Sequence, residues 1–127
     1  MNLANLDKIL SEQNKAIFVV FYASWCQPSL MQKESAERLQ AENSDIAEFF
    51  ILDIDSNEEL AKSLEVRNIP STIAYEALPP KTSDNNSDKK AEDSTEREPI
   101  MLPGYQLDSM FLDYFKVLRK NLKKQKT

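Results

Sequence analysis

The side chain best suited to chemistry in this 127-residue chain is that of Cys26, its only cysteine. Cys26 follows the apolar run 16–22, which predicts a buried strand, and precedes Pro28, which fits the first turn of a helix. A helix N-terminus stabilises negative charge, and the thiolate is the nucleophilic form of cysteine. The pattern therefore predicts a nucleophilic thiol at the carboxyl end of a strand, where open α/β sheets bind their ligands. The alternative is a buried cysteine that serves as a small apolar side chain.

The composition excludes several other kinds of chemistry. The chain has no histidine, the commonest general base and transition-metal ligand, so histidine-based hydrolase triads and ordinary zinc sites are excluded. A single cysteine cannot form an intramolecular disulfide. The net charge of -5 argues against nucleic-acid binding, which needs a surplus of Lys and Arg. We therefore expect no metal site, no bound cofactor and no nucleic-acid partner.

The sequence also bears on location. No apolar run is long enough to predict a membrane span, and the first eight residues lack the basic-then-apolar pattern of a signal peptide. We expect a monomer that does not engage membranes and lies in the cytoplasm by default. An extracytoplasmic location stays open if a leader was removed.

Helical and strand patterns alternate along most of the sequence, which predicts an α/β sheet with right-handed crossovers. In the helix after Pro28, we expect Leu30, Met31, Ala36 and Leu39 to face inward. The predicted elements are a helix over 6–13, a strand over 16–22, a helix from Pro28 to about 41, a strand over 48–54, a helix that begins with a capping box at 56–59, a strand over 71–75, a short strand over 100–102 and a helix from about Asp108.

The segment 79–99 differs from the rest in composition. Residues 81–98 include no large apolar side chain, so burial could not offset the entropy of ordering them. We predict a flexible polar loop inserted in the hairpin of the last two strands, within one domain that spans 1–127. The loop is either a docking or regulatory element or an insertion at a hairpin tip, where added length costs little.

Two segments resemble the signature segments of the thioredoxin family. The stretch Trp-Cys-Gln-Pro-Ser at 25–29 resembles the active-site segment Trp-Cys-Gly-Pro-Cys, and 66–71 resembles an Ile-Pro-Thr segment whose proline is cis. The resemblance implies a thioredoxin fold, in which a central mixed sheet of four to five strands is flanked by helices. It also implies that an extended client peptide docks beside Cys26 against five residues: Trp25, Gln27, Pro28, Ile69 and Pro70.

The chain departs from the family pattern at several positions. Ser29 stands where the family has its resolving cysteine, either as the natural residue or as a replacement of that cysteine. The family's buried acid and its accompanying lysine correspond to Val20 and Ile51, and the proline that often kinks the active-site helix corresponds to Glu34. The family's first edge strand is missing or very short.

The resemblance implies an enzyme of the thiol–disulfide oxidoreductase class. The Cys26 thiolate would attack a client disulfide and form a mixed disulfide. Ser29 could donate a hydrogen bond to that thiolate but could not release the client, so release would need an external thiol such as glutathione. Two alternatives stay open: a redox-inactive thioredoxin-like module that binds protein partners, and a monothiol glutaredoxin-like protein whose Cys26 and glutathione hold an iron cluster in a dimer.

Overall fold

Helices and strands alternate in the computed structural model, which describes residues 1–78 and 97–126, with side chains as far as Lys120. The predicted strands at 16–22 and 71–75 are confirmed to the residue. The predicted strands at 48–54 and 100–102 differ from the observed ones by no more than one residue at either end. The elements are α1 (Leu3–Glu12), β1 (Ala16–Tyr22), α2 (Gln27–Asn43), β2 (Ala47–Asp53), a 3-10 turn (Ile54–Ser56), α3 (Glu58–Ser63), β3 (Ser71–Tyr75), β4 (Ile100–Pro103) and α4 (Asp108–Lys126).

Within the described residues, the four strands form one mixed sheet in the order β2-β1-β3-β4. β1 runs parallel to β2, from the pair Ala16 and Ala47 to the pair Tyr22 and Asp53. It runs antiparallel to β3, which in turn pairs antiparallel with β4. The predicted mixed sheet is therefore confirmed, and the carboxyl end of its inner strand β1 leads into the segment that holds Cys26.

Apolar clusters cover both faces of the sheet. On one face, Phe18 packs with residues of α2 and α4, and its ring stacks on that of Phe49 with the centroids 4.7 Å apart. On the other face, Ile17, Val19 and Phe21 pack with residues of α1 and α3. β1 is thus buried on both sides, as its continuous apolar run predicts. This packing gives the segment after β1 a rigid base.

The face that α2 turns toward the sheet differs from the predicted one. Met31 is exposed and Leu30 is half-buried, whereas Ala36 and Leu39 are buried as expected. Near the start of the helix, hydrogen-bonded polar side chains take the inward positions instead, so apolar residue type alone assigned the wrong face there. The buried positions follow a spacing of three or four residues for most of the helix: Ser29, Gln32, Ser35, Ala36, Leu39 and Asn43.

The predicted capping box at 56–59 is wrong. Ser56 belongs to a 3-10 turn, and Asn57, the N-cap of α3, makes no side-chain cap bond. The Asn57 amide instead donates to the carbonyl of Asp53 at 2.8 Å. A reciprocal capping box occurs in α1, where the side-chain oxygen of Asn2 accepts from the backbone N–H of Asn5 and the side-chain oxygen of Asn5 accepts from the backbone N–H of Asn2.

The side chain of Arg97 fastens the start of the second described segment to the N-terminal part of the chain. Its guanidinium donates hydrogen bonds to the carbonyls of Leu10 and Gln13 at the end of α1, and to those of Lys15 and Glu76. A helix C-terminus leaves carbonyls without partners and favours a cation, so this position suits arginine. Burial lowers the pKa of the guanidinium, and the four carbonyl dipoles offset part of the cost of desolvating it.

Residues 79–96 of the predicted polar loop at 79–99 lie outside the described residues. Its last three residues are described, and there the structure differs from the prediction, because Arg97 is half-buried and hydrogen-bonded. A charged side chain with several donors can order a segment that has no apolar side chain to bury.

Arg97→Leu is expected to lower the free energy of unfolding by about 2–4 kcal/mol, because it leaves buried carbonyls without a donor. Urea unfolding followed by circular dichroism measures the change. The exposed Arg67 offers a matched control, and Arg67→Leu is expected to stay within about 0.5 kcal/mol of the parent chain. Equal unfolding midpoints for Arg97→Leu and the parent would show that the four bonds contribute no net stability.

Candidate functional site

Cys26 is the N-cap residue of α2, at the point where the chain passes from β1 into the helix. Its N–H donates to the carbonyl of Ala23, and its own carbonyl accepts from the N–H groups of Ser29 and Leu30. The side chain makes no cap hydrogen bond, and Sγ lies 3.9 Å from the carbonyl oxygen of Ile69. The residue is partly exposed. The backbone bonds therefore fix the position of the sulfur and leave it open to a reaction partner.

Ser29 lies one helical turn after Cys26 and is 0% exposed. Its Oγ accepts from the N–H of Ala23 at 3.0 Å. The same oxygen lies 2.7 Å from the carbonyl of Cys26 and 3.0 Å from that of Ala23, so its single proton is donated to the backbone. The expectation that Ser29 donates to the Cys26 sulfur is therefore wrong. Its hydroxyl stabilises the turn that carries the cysteine.

Trp25, on the other side of Cys26, is 69% exposed. Its indole N–H donates to Oδ2 of Asp55 at 3.0 Å, and the N–H of Asp55 is bonded to the carboxylate of Asp53. One edge of the indole is thus held by the turn after β2 while most of the side chain stays in solvent. Gln27 and Pro28 are exposed next to it. Sequence analysis missed Asp55, since an acidic residue in a polar turn carries no signal of a partner 30 residues away.

The loop that leads into β3 lies beside the sulfur of Cys26. The peptide bond between Ile69 and Pro70 is cis, Ile69 is half-buried and Pro70 is buried. The Ile69 carbonyl faces the sulfur of Cys26, and the Pro70 carbonyl accepts from the N–H of Gly104 at 2.8 Å. Gly104 has a φ of 81°, a conformation that favours glycine. The fold thus brings Cys26 together with both residues of the predicted loop, 43 and 44 positions further along the chain.

The two positions where the family carries a buried acid and a lysine are apolar and adjacent. Val20 and Ile51 are register partners on β1 and β2. Val20 is fully buried, and Ile51 packs against the same apolar cluster. Neither side chain can accept or donate a proton. Glu34, which corresponds to the kinking proline, is exposed on α2.

Gln32 is a further residue that sequence analysis missed. It is 0% exposed, and its amide contacts both backbone groups of Gln106. Its Oε1 accepts from the Gln106 N–H at 2.6 Å, and its Nε2 donates to the Gln106 carbonyl at 3.2 Å. Its spacing of three and four residues from Ser29 and Ala36 was a usable signal of an inward position. Its polar character hid that signal.

In 1–78 and 97–126, no group of three or more His, Cys, Asp or Glu is placed to hold a metal ion. Among the helices of the same segments, none has the length and apolar character required to cross a bilayer.

Comparison with known sequences gives one family. The family model described as thioredoxin matches residues 1–96. A thioredoxin of Mycoplasmoides gallisepticum is 35% identical over 75 residues, which are 59% of this chain and 73% of that protein. Thioredoxin-2 of Saccharomyces cerevisiae is 35% identical over 69 residues, which are 54% of this chain and 65% of that protein. The match thus spans about two thirds of the yeast relative.

Comparison with solved structures gives the same fold. The structure of a Trichomonas vaginalis thioredoxin matches with a TM-score of 0.68 at 19% identity, over 92% of this chain and 92% of that one. At this identity the likeness concerns the fold alone, and it confirms the predicted arrangement of sheet and helices.

Proposed function

Because the chain belongs to the thioredoxin family, we propose that it exchanges thiols and disulfides with protein clients through the single thiol of Cys26. The observation that carries the proposal is the position of Cys26, a partly exposed N-cap residue whose Sγ lies beside the Ile69 carbonyl. A helix N-terminus favours the thiolate, which is the reactive form. The proposed reaction uses this sulfur and no resident cofactor.

The first half of the reaction captures the client. The Cys26 thiolate attacks one sulfur of a client disulfide. A bond forms between Sγ and that sulfur, the client S–S bond breaks, and the second client sulfur leaves as a thiolate that takes a proton from water. The client segment contacts the exposed Trp25, which precedes Cys26, and the loop of Ile69 and Pro70, which lies beside the sulfur.

The second half requires thiols from outside the chain. The hydroxyl of Ser29 is a far poorer nucleophile than a thiolate at neutral pH, and its proton is donated to the backbone. A glutathione thiolate attacks Sγ of the mixed disulfide and releases the client sulfur. A second glutathione thiolate then regenerates the Cys26 thiolate and leaves glutathione disulfide. In sum, one client disulfide is reduced while two external thiols are oxidised to one disulfide.

A second function, partner binding without redox chemistry, is favoured by the apolar pair Val20 and Ile51. Neither side chain of that pair can accept a proton. In this case the exposed Trp25 and its surroundings would bind a partner, and the sulfur would take no part. The two functions differ in what they require of Cys26.

Incubation with glutathione disulfide, followed by intact-protein mass spectrometry, tests the proposal. We expect one glutathionyl adduct per chain at slightly acidic to neutral pH, and its removal by reduced glutathione. Cys26→Ala is the matched control and is expected to form no adduct. A parent chain that stays unmodified would contradict the exchange reaction. Capture of the same protein partners by the parent and by Cys26→Ala would favour the binding function instead.

A further inference from the structure

The buried amide of Gln32 is the least expected feature near the cysteine. Gln32 lies on α2, six residues after Cys26, at a position where an apolar side chain would fill the core. Burying an amide is costly unless its hydrogen bonds are satisfied. Here one amide donates to and accepts from the backbone of a single residue, Gln106. The two bonds hold that backbone in one orientation, much as a neighbouring strand would.

The residues on either side of Gln106 are fixed as well. The N–H of Gly104 donates to the Pro70 carbonyl at 2.8 Å, and the side chain of Gln106 bonds the carbonyl of Pro103 at 2.9 Å. At the other end, Asp108 accepts from Ser35 and is paired with Arg38, and these contacts lower the pKa of its carboxyl. We call residues 104–107 the β4–α4 segment. It is held against the loop of Pro70 at its start and against α2 in its middle.

The β4–α4 segment presents two large apolar side chains to solvent. Tyr105 is 40% exposed and Leu107 is 65% exposed, and they flank the clamped Gln106. Tyr105 directly follows Gly104, which is bonded to Pro70, and the neighbouring Ile69 carbonyl faces the sulfur of Cys26. The β4–α4 segment therefore begins next to the loop whose Ile69 carbonyl lies beside the sulfur of Cys26.

We propose that Gln32 is a positioning residue for polypeptide clients. Its amide fixes the β4–α4 segment so that Tyr105 and Leu107 form an apolar rim beside the Cys26 cleft, which favours client segments with apolar side chains next to their cysteine. The inference rests on the exchange reaction proposed above. Gln32 does not touch the reacting sulfur, whose own contacts run to Ile69 and through the backbone to Ala23.

If Gln32 has this role, its replacement should slow the reaction of Cys26 with peptides and leave the reaction with small reagents unchanged. Gln32→Leu keeps the volume of the side chain and removes both bonds to Gln106. The contacts of Cys26 stay as they are, so small reagents should react as before. A peptide must contact the apolar rim and the sulfur at the same time. A displacement of the rim by about 1 Å can therefore lower the rate of the peptide reaction by a large factor.

The test compares two rates in each variant: alkylation by iodoacetamide, and mixed-disulfide formation with a short peptide whose cysteine is capped by glutathione and flanked by leucines. We expect Gln32→Leu to lower the peptide rate by at least about 10-fold. Its iodoacetamide rate should stay within about two-fold of the parent. Gln40→Leu is the matched control, since Gln40 also lies on α2 and bonds a backbone N–H, that of Phe49 at 2.5 Å, outside the cleft. We expect it to keep both rates.

Several outcomes would overturn the inference: an unchanged peptide rate in Gln32→Leu, an equal fall of both rates, or the same fall in Gln40→Leu. If Gln32→Leu does not fold, the double variant Tyr105→Ser with Leu107→Ser decides, because both side chains are exposed. Loss of the preference for the leucine-flanked peptide over a serine-flanked one supports the inference, and an unchanged preference overturns it. A parent chain that reacts with neither peptide would overturn the exchange function, and this inference with it.

Discussion

Cys26→Ser is expected to reduce the glutathione-dependent reduction of a client disulfide by at least about 1,000-fold, to the uncatalysed background. A hydroxyl at this N-cap is a far poorer nucleophile than a thiolate at neutral pH, and serine cannot form the mixed disulfide. The assay follows oxidation of glutathione in the presence of a disulfide-bonded protein such as insulin. The change is small and the side chain is partly exposed, so the fold should persist.

Two observations would decide against this expectation. One is a Cys26→Ser chain that keeps a tenth or more of the parent rate with an unchanged circular dichroism spectrum, since the sulfur would then not be the nucleophile. The other is a parent chain with no activity above background. Cys26→Ala serves as the control for any residual effect of the hydroxyl, and it is expected to behave as Cys26→Ser does.

Ser29→Cys is expected to convert the chain from a protein that needs an external thiol into one that releases its client unaided. Residues three apart on a helix face the same side, so a sulfur at this position can reach the Cys26 sulfur after rotation of its side chain. Its thiolate would attack Sγ of the mixed disulfide, free the client thiol and leave a disulfide between positions 26 and 29. We expect client release without glutathione to become at least about 100-fold faster, because the second thiol is intramolecular.

The same substitution is expected to cost stability in its reduced form. The Ser29 hydroxyl has three backbone contacts, to the N–H and carbonyl of Ala23 and to the carbonyl of Cys26. A thiol is a weak donor and acceptor, so the free energy of unfolding should fall by about 1–2 kcal/mol. Ser29→Ala is the control, since it loses the same bonds and adds no sulfur. It should be destabilised and yet release no client unaided. Equal release by Ser29→Cys and the parent would contradict the assignment of this position.

Much of the fold could be predicted from local sequence. The strand at 16–22 is a continuous run of apolar, mostly β-branched or aromatic residues, and burial on both faces is what such a run requires. Pro28 correctly marks the start of α2, because its lack of an N–H is harmless in a first helical turn. The placement of Cys26 follows from these two local signals, which is why it could be predicted without knowledge of tertiary contacts.

The contacts that could not be predicted from the sequence are polar and join residues that are distant along the chain. The guanidinium of Arg97 bonds Leu10 from 87 positions away, and Gln32 bonds Gln106 from 74 positions away. Residue type shows that such side chains can bond, but only the three-dimensional arrangement provides the partner. The error at Met31 has the same origin, because inward positions of α2 that looked too polar are satisfied by partners brought in by the fold.

We propose that Cys26 captures clients and depends on an external thiol to release them, because the chain has no second cysteine. The most direct measurement is the rate at which a preformed mixed disulfide between the chain and a client peptide breaks down at increasing concentrations of reduced glutathione. We expect a release rate proportional to the concentration of glutathione thiolate, with no measurable release when glutathione is absent. A substantial release rate without any added thiol, or one that does not respond to glutathione, would contradict it.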